Sequence, residues 1–192
     1  YYDMLAENAF GNYRDLIEQV TLHPAMGVYL SMLGNEKPNS ALNIRPDENY
    51  ARELMQLFSI GLVELNIDGT VRLDGNNQPV PTYDQSSIEG FAHVFTGWTW
   101  AGVAQFTPPE FLVPQASQYF PMQLWPEFHD TGAKTLLNGV VLPAGQSAEQ
   151  DLADALDNIF EHPNVAPFVA IRLIQRLTAS NPSPGYVRRV AE

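Results

Sequence analysis

The sequence predicts a mainly α protein in which αα-hairpins pack in one domain with two small β-hairpins and a long ordered loop. Through most of the chain apolar residues recur every three or four positions, as they do in amphipathic helices. Two short stretches instead alternate apolar and polar residues around Asp68-Gly69 and Asn138-Gly139, dipeptides that favour tight hairpin turns. Residues 100–128 hold several prolines and aromatics without any period, which predicts a loop packed on the helices.

The length and composition are those of one globular domain. The chain has 192 residues, of which 45% are apolar and 17% are charged. We expect residues 1–192 to form a single domain that is a piece of a longer protein, because the chain begins at Tyr1 and ends within a helical pattern. No apolar stretch approaches the ~20 residues of a membrane-spanning helix.

The charge and the missing cysteines exclude several classes of function. Ten basic against 22 acidic residues give a net charge of −12, which argues against a protein that follows nucleic-acid phosphates. The absence of cysteine excludes disulfides, thiolate zinc sites, iron–sulfur clusters and cysteine nucleophiles. Any metal ion would therefore depend on carboxylate and imidazole ligands.

The chain starts with a predicted helical hairpin. Apolar spacing indicates one helix over residues 3–21, with Gly11 as its weak point. His23-Pro24 then begins a second helix, since proline fits the first helical turn. The apolar face of this helix is predicted to consist of Met26, Tyr29, Leu30 and Leu33. His162-Pro163 repeats this pattern, and both histidines are predicted to cap the start of a helix.

Residues 46–62 predict a strong amphipathic α-helix around which the other elements are organised. Asp47 is its expected N-cap, and Glu48 with Arg52 forms an i, i+4 ion pair on the wet face, which also carries Ser59. The predicted buried face consists of Tyr50, Leu54, Leu57, Phe58, Gly61 and Leu62.

Glu53 lies at the edge of this apolar face rather than on the wet face. A carboxylate there must reach water or find a hydrogen-bonding or cationic partner. It could serve as a structural ion pair or helix cap, or as a metal ligand or acid–base group, with Asn49 orienting it. Arg172 and Arg176 are candidate partners, because they lie at the edge of an otherwise apolar helix.

Four further helices are predicted. The first buries Ile88, Phe91, Ala92, Phe95 and Trp98 and leaves His93 on its outer side. Another starts at Ser147, with which Gln150 can close a capping box. Its buried face consists of Leu152, Leu156, Ile159 and Phe160. The last two cover residues 165–177 and the stretch after Pro184.

His129-Asp130, with Lys134 close by, is the strongest polar constellation outside the central helix. The pair could place an imidazole and a carboxylate on one cation. Alternatively, Asp130 caps a turn through Gly132 and His129 packs on aromatic rings. The sequence lacks the nucleophile elbow, dinucleotide, Walker A, zinc-protease and EF-hand motifs. The tryptophans, Trp98 among them, belong to the core or form a platform for carbohydrate stacking.

The chain resembles a bacterial family catalogued as domain of unknown function 1800. The matching segments are residues 10–16, 23–26, 48–54 and 95–98, His129-Asp130 with Gly132 and Lys134, and His162-Pro163 with the Arg172 helix. The resemblance implies an exported, extracytoplasmic protein and a partnership with a sulfatase-like family. Asp47 and His93 depart from the family pattern, which has Asn and Arg there. The family provides no established catalytic residues.

Two hypotheses of function follow. The first is an exported binding or assembly module that works with a partner protein and shows an apolar patch on the 100–128 loop. The second is a divalent-metal-assisted, hydrolase-like enzyme acting on an anionic or carbohydrate substrate. Its catalytic residues and metal ligands would be Glu53, His129 and Asp130. Its substrate-binding residues would be Arg52, Lys134, Arg172 and Trp98. This enzyme hypothesis requires Glu53 to approach His129.

Overall fold

The computed structural model describes residues 1–102 and 119–192, and the fold is mainly α, as predicted. Its helices are α1 (Tyr2–Glu7), α2 (Tyr13–Leu22), α3 (Pro24–Tyr29), α4 (Asn49–Glu53), α5 (Gln85–Val94), α6 (Ala148–Phe160), α7 (Val165–Leu177) and α8 (Pro184–Ala191). A π-helix (Leu54–Ser59) continues α4, and two 3₁₀ turns cover Pro126–Phe128 and Leu137–Gly139. No helix in these two ranges is long and apolar enough to cross a membrane.

In the described ranges, four short strands form two antiparallel pairs. Strand β1 (Trp98–Thr99) pairs with β2 (Gln123–Leu124), so that Trp98 lies opposite Leu124. Strand β3 (Lys134–Thr135) pairs with β4 (Val141–Leu142) around the predicted Asn138-Gly139 turn. Asn138 and Gly139 have φ values of 57° and 71°, the left-handed conformation that this turn requires. The second predicted hairpin is therefore confirmed.

Helix α5 lies at the centre of the core. Its predicted inward residues Ile88, Phe91 and Ala92 are buried, as is Phe95 at its C-terminal cap, but Trp98 was wrongly placed on this helix and is buried in β1 instead. Phe95, just after the helix, meets Tyr50 of α4 edge to face, with ring centroids 5.0 Å apart. Helices α4 and α6 pack on α5 as well, and Trp125 is completely buried among the core residues of the described chain.

The first predicted helix is divided in two. Helix α1 ends at Glu7 and α2 begins at Tyr13, with Gly11 in the break between them. The next helix, α3, is shorter than predicted, and Tyr29 at its end is 75% exposed, so its place on the buried face was wrong. The predicted cap is confirmed, because His23 Nδ1 accepts a hydrogen bond from the Ala25 amide at 3.1 Å.

The central helix changes period halfway along. Buried residues follow α-helical spacing as far as Leu54 and Met55, and then recur five positions later at Ser59 and Ile60. The Ile60 amide donates to the Met55 carbonyl at 3.0 Å, and the Ser59 hydroxyl donates to the Leu54 carbonyl at 2.6 Å. Spacing of five is that of a π-helix.

This change of period explains three errors in the predicted central helix. Ser59 is completely buried instead of wet, whereas Leu57 and Leu62 are more than half exposed instead of buried. Glu48, not the predicted Asp47, is the N-cap of α4, and its side chain makes no cap bond, although the Asp47 carboxylate accepts from the Asn49 amide at 2.8 Å. The predicted Glu48–Arg52 ion pair is present at 2.8 Å.

Residues 63–81 form an extension that we call the β-arm. The Asp68-Gly69 turn is present, with the Asp68 carboxylate accepting from the Thr70 amide at 3.0 Å. The segments on either side of this turn pair through isolated β-bridges rather than continuous strands. A third segment, which contains Pro79 and Pro81, bridges to both of them. The bridged pairs are Leu65 with Val71, Leu73 with Pro79, and Val63 with Pro81.

One buried asparagine fastens the β-arm to the helices. The Asn164 side chain accepts from the Leu65 amide at 2.7 Å and donates to the carbonyls of Ile60 at 2.7 Å and Val63 at 2.8 Å. Asn164 also begins α7. The end of the π-helix, the β-arm and the start of α7 therefore meet at a single amide group.

The remaining helices follow the prediction closely. Ser147 caps α6 by accepting from the Gln150 amide, but the capping box does not close, because the Gln150 side chain donates to Asp154 at 2.7 Å. Phe160, at the end of α6, is 38% exposed, so its place on the buried face was wrong. In the predicted 100–128 loop, residues 119–128 supply β2 and a 3₁₀ turn, while residues 103–118 lie outside the described residues.

Stability should fall in mildly acidic solution because of His162. Burial lowers the pKa of this histidine against the opposing effect of Glu64, and its Nδ1 accepts from the Asn164 amide at 3.1 Å. Below about pH 6.5 the unfolded chain binds a proton at this histidine more readily than the folded chain does. The free energy of unfolding therefore decreases as the pH is lowered. We expect denaturant titrations at several pH values to show a contribution of up to ~1.4 kcal/mol per pH unit.

His162→Asn provides the control for this pH effect. Asparagine can accept the same amide hydrogen bond but does not titrate. The variant should therefore lose stability less steeply between about pH 7 and pH 5 than the parent protein. Equal slopes for the two proteins would show that His162 does not carry the effect.

Candidate functional site

Three charged side chains meet inside the protein, between β3, α6 and the segment that follows the Pro126–Phe128 turn. Asp151 is fully buried, His129 is 2% exposed and Lys134 is 3% exposed. The Lys134 ammonium lies 2.6 Å from Asp151 Oδ2, and His129 Nε2 lies 3.0 Å from the same oxygen. We call this group the buried triad.

Local sequence explains how the buried triad assembles. Asp151 lies in the first turn of α6, on the same helical face as the buried residues Ala148 and Ala155. Lys134 is brought to it by β3, which lies directly against α5 at Gly90. A methyl group at Gly90 would overlap the Thr135 carbonyl, so only glycine allows this close approach.

The contacts of Lys134 show that it is an ammonium group. Besides Asp151, its Nζ donates to the backbone carbonyls of Asp130 at 2.6 Å and Gly132 at 2.9 Å. An ammonium group has three hydrogens, and all three have acceptors here. Lys134 therefore ties the 130–132 turn to the first turn of α6.

The contacts of His129 fix its hydrogens in the same way. Its Nδ1 lies 2.9 Å from the Thr96 carbonyl, which can only accept, so Nδ1 carries a hydrogen. Its Nε2 faces the Asp151 carboxylate, which also accepts, so a second proton lies between them. The buried triad thus sets the Lys134 ammonium and the His129 ring against one carboxylate, whose Oδ1 has no hydrogen-bond partner among residues 1–102 and 119–192.

Asp130 supplies a second negative charge beside the triad. Burial raises the pKa of Asp130, but hydrogen bonds from His93 and the Gly132 amide, with help from the nearby Lys134, bring that pKa below its ordinary value. The Gly132 amide donates to Asp130 Oδ1 at 2.7 Å, while His93 Nδ1 bonds to Oδ2. Asp130 therefore caps the turn through Gly132 and also holds the His93 ring.

Thr96 connects the two histidines. Its hydroxyl donates to the His93 carbonyl at 2.7 Å and accepts from the Asp130 amide at 2.8 Å. His93 occupies the position where the resemblance leads us to expect arginine, and from there its Nδ1 bonds to Asp130. The departure from the family pattern therefore lies next to the buried triad.

Of the predicted site residues, His129, Asp130 and Lys134 lie together at the buried triad, but Glu53, Arg52 and Arg172 make no bond with them. Glu53 is partly exposed and makes no hydrogen bond or ion pair with the other described residues. Arg52 pairs with Glu48, and Arg172 is exposed and stacks on Phe168 at 4.8 Å from the ring centroid. In the described chain, neither Arg172 nor Arg176 forms an ion pair with Glu53.

The predicted metal ligands also have separate surroundings. His129 is hydrogen-bonded to Thr96 and Asp151, whereas Asp130 is hydrogen-bonded to His93 and Gly132. Within residues 1–102 and 119–192, no group of three or more His, Asp or Glu side chains could hold a metal ion. Trp98 is 5% exposed and packs in the core.

Sequence reasoning missed Asp151, although the signal was available. Like Glu53, Asp151 is a carboxylate near an apolar face, and it lies on the buried face of α6. Thr96 gave no signal, because its role depends on contacts with residues more than thirty positions away along the chain.

The described surface carries several concavities, among them a larger apolar groove and a smaller, more polar cleft. The first, which we call the N-terminal groove, has a volume of about 710 Å³. It is lined mainly by apolar residues, with Leu22, Pro24, Val28, Trp100 and Tyr119 among them. The second, which we call the His93 cleft, has a volume of about 250 Å³. It is lined by Pro38, Arg45, Pro46, Glu48, Glu89, Ala92 and His93.

Comparison with known proteins identifies the family. No curated protein and no solved structure matches this chain. The model of the family described as Protein of unknown function (DUF1800) matches residues 1–192, the whole chain. The match includes the segments that form the buried triad and both concavities. The chain therefore belongs to the DUF1800 family.

Proposed function

We propose that this domain is an exported binding or assembly module that docks on a partner protein through the N-terminal groove. The groove carries the proposal, because it is the larger of the two concavities described and its lining is mainly apolar. Apolar concave surfaces of this kind receive the anchoring side chains of binding partners.

Exposed apolar side chains at the groove support docking. Val28 is 59% exposed and Tyr119 is 91% exposed, although both are residue types that gain from burial. Burying them under a partner would stabilise the complex, and large exposed apolar patches are typical of interaction sites. A partner with an apolar segment would fit this surface.

The charge of the groove defines the partner further. Asp3 and Glu18 also line it, and the chain as a whole has a net charge of −12. Complementary charge speeds association and selects partners, so the proposed partner presents basic residues around its apolar segment.

The buried triad fits a structural role in such a module. Its three side chains bond to one another and to backbone carbonyls, and each is almost completely buried. The alternative of a divalent-metal-assisted hydrolase has no comparable support, because the described residues gather no three metal ligands.

The proposed setting is extracytoplasmic and the proposed partner belongs to the sulfatase-like family. Both come from the family resemblance. The test measures the affinity of the purified protein for a sulfatase-like protein of the same organism by biolayer interferometry. We expect a specific complex, and we expect Val28→Asp to weaken it at least tenfold, because a carboxylate would be buried against the apolar segment of the partner.

Leu177→Asp is the matched control for this experiment. Leu177 is 74% exposed on α7 and does not line the groove. It should leave the affinity unchanged. The proposal fails if no complex forms at micromolar concentrations, or if the control weakens the complex as much as Val28→Asp does.

A further inference from the structure

We propose that the His93 cleft binds a small hydroxylated monocarboxylate of monosaccharide size, such as a hexuronic acid. The cleft lies between α5 and the loop that contains Arg45 and Pro46. It is separate from the N-terminal groove, and the inference does not depend on the docking proposal.

The cleft is held in shape by a buried asparagine. Asn35 is 6% exposed, and its side chain accepts from the Asp47 amide at 2.8 Å and donates to the Ala92 carbonyl on α5 at 3.3 Å. The loop is braced again where Asn39 and Ile44 exchange two backbone hydrogen bonds, at 3.0 and 2.9 Å. Both walls of the cleft are therefore fixed relative to each other before a ligand arrives, which lowers the cost of binding.

Arg45 provides the attraction for an anionic group. It is exposed, lines the cleft and forms no ion pair with the residues that the structure describes. By contrast, Arg52 nearby is already neutralised by Glu48. A guanidinium group binds a carboxylate through two parallel hydrogen bonds, so Arg45 is suited to a carboxylate ligand.

The acidic residues of the cleft limit the charge of the ligand. Glu48 and Glu89 both line it, and Gln85 donates to each of them, at 2.9 and 3.3 Å. Two carboxylates repel a doubly charged phosphate more strongly than a singly charged carboxylate. A monoanion whose remaining groups donate hydrogen bonds therefore fits better than a phosphate.

His93 and Glu89 supply acceptors for hydroxyl groups. Asp130 holds His93 through Nδ1, and His93 Nε2 has no hydrogen-bond partner within the described chain. With Nδ1 donating to Asp130, a neutral ring presents Nε2 as an acceptor. Ligand hydroxyls can donate to this nitrogen and to the Glu89 carboxylate.

The size and walls of the cleft agree with a single sugar ring. Its volume of about 250 Å³ lies below the ~300–1,000 Å³ of drug-sized sites. Pro38, Pro46 and Ala92 give it apolar walls, against which the C–H faces of a ring can pack. Arg45 belongs to the same lining and would bind the carboxylate end.

Isothermal titration calorimetry with D-glucuronate tests the inference on the full chain. We expect saturable binding, at least tenfold weaker binding of D-glucose, which lacks the carboxylate, and at least tenfold weaker binding of inorganic phosphate. Arg45→Gln and His93→Phe should each weaken glucuronate binding at least tenfold. Arg189→Gln is the matched control, because Arg189 is an exposed arginine outside the cleft, stacked over Tyr186.

Other results would overturn the inference. Absence of glucuronate binding, equal binding of glucose or phosphate, or equal loss in Arg189→Gln would each contradict the assigned site. Tighter binding of serine than of glucuronate would show that the site selects an ammonium group rather than hydroxyls. Val28→Asp should not change glucuronate affinity, so the two proposals can fail separately.

Discussion

Replacing Asp151 by alanine should lower the free energy of unfolding by ~3–5 kcal/mol, the range measured when one partner of a buried ion pair is removed. Asp151 is fully buried and is the carboxylate that both Lys134 and His129 contact. Without it, the Lys134 ammonium and the His129 ring remain inside with their backbone acceptors but without the opposing charge. Guanidinium chloride titrations of both proteins measure the difference.

Asp157→Ala is the control for this prediction, because it makes the same substitution on the same helix. Asp157 is exposed and pairs with Arg14 at 2.7 Å. Exposed ion pairs contribute little, so this variant should lose less than ~1 kcal/mol. If Asp151→Ala cost no more than Asp157→Ala, the buried triad would not be a stabilising feature of the fold.

Replacing Gly90 by alanine should also destabilise the protein, by about 2–3 kcal/mol. Alanine favours a helix over glycine by ~1 kcal/mol, but the added methyl group would overlap the Thr135 backbone carbonyl. A backbone atom cannot rotate away as a side chain can, so α5 and β3 must separate, and overpacking of this kind costs ~1–3 kcal/mol or more. The separation would also move Lys134 relative to Asp151.

The same substitution at Gly185 should have the opposite sign. Gly185 lies in α8 with open space around the position of a Cβ atom. Gly185→Ala should therefore raise the free energy of unfolding by up to ~1 kcal/mol through helix propensity alone. In thermal and denaturant unfolding, the parent protein should be more stable than Gly90→Ala and less stable than Gly185→Ala. Stabilisation by Gly90→Ala would show that α5 and β3 are not in close contact.

Much of the helical architecture could be predicted because local signals agreed with it. The burial of Ile88, Phe91 and Phe95 follows from a regular period, and the two His-Pro pairs place their imidazoles where amide hydrogens need acceptors. The central helix could be predicted only in its first half. Beyond Leu54 the apolar residues are spaced as they would be in an α-helix. The π-helix depends on contacts made in the folded structure, which the sequence pattern does not reveal.

The site could be predicted only in part, for a related reason. His129, Asp130 and Lys134 are close in sequence, so a cluster was visible, but their partners Thr96 and Asp151 come from elsewhere in the chain. Glu53 attracted attention because its position was judged on an ideal α-helix. Its own helix, however, ends there and the π-helix begins, so its position relative to the core could not be read from a single period.

Asn164 has a consequence for how the molecule opens. Its side chain binds the Leu65 amide of the β-arm and the Ile60 carbonyl at the end of the π-helix. Neither segment can detach without breaking bonds to a residue that starts α7. In hydrogen exchange, amides at the base of the β-arm should therefore open with the same free energy as the amides of α7. Amides held by isolated β-bridges alone would exchange quickly. The two helices and the arm between them form one cooperative unit.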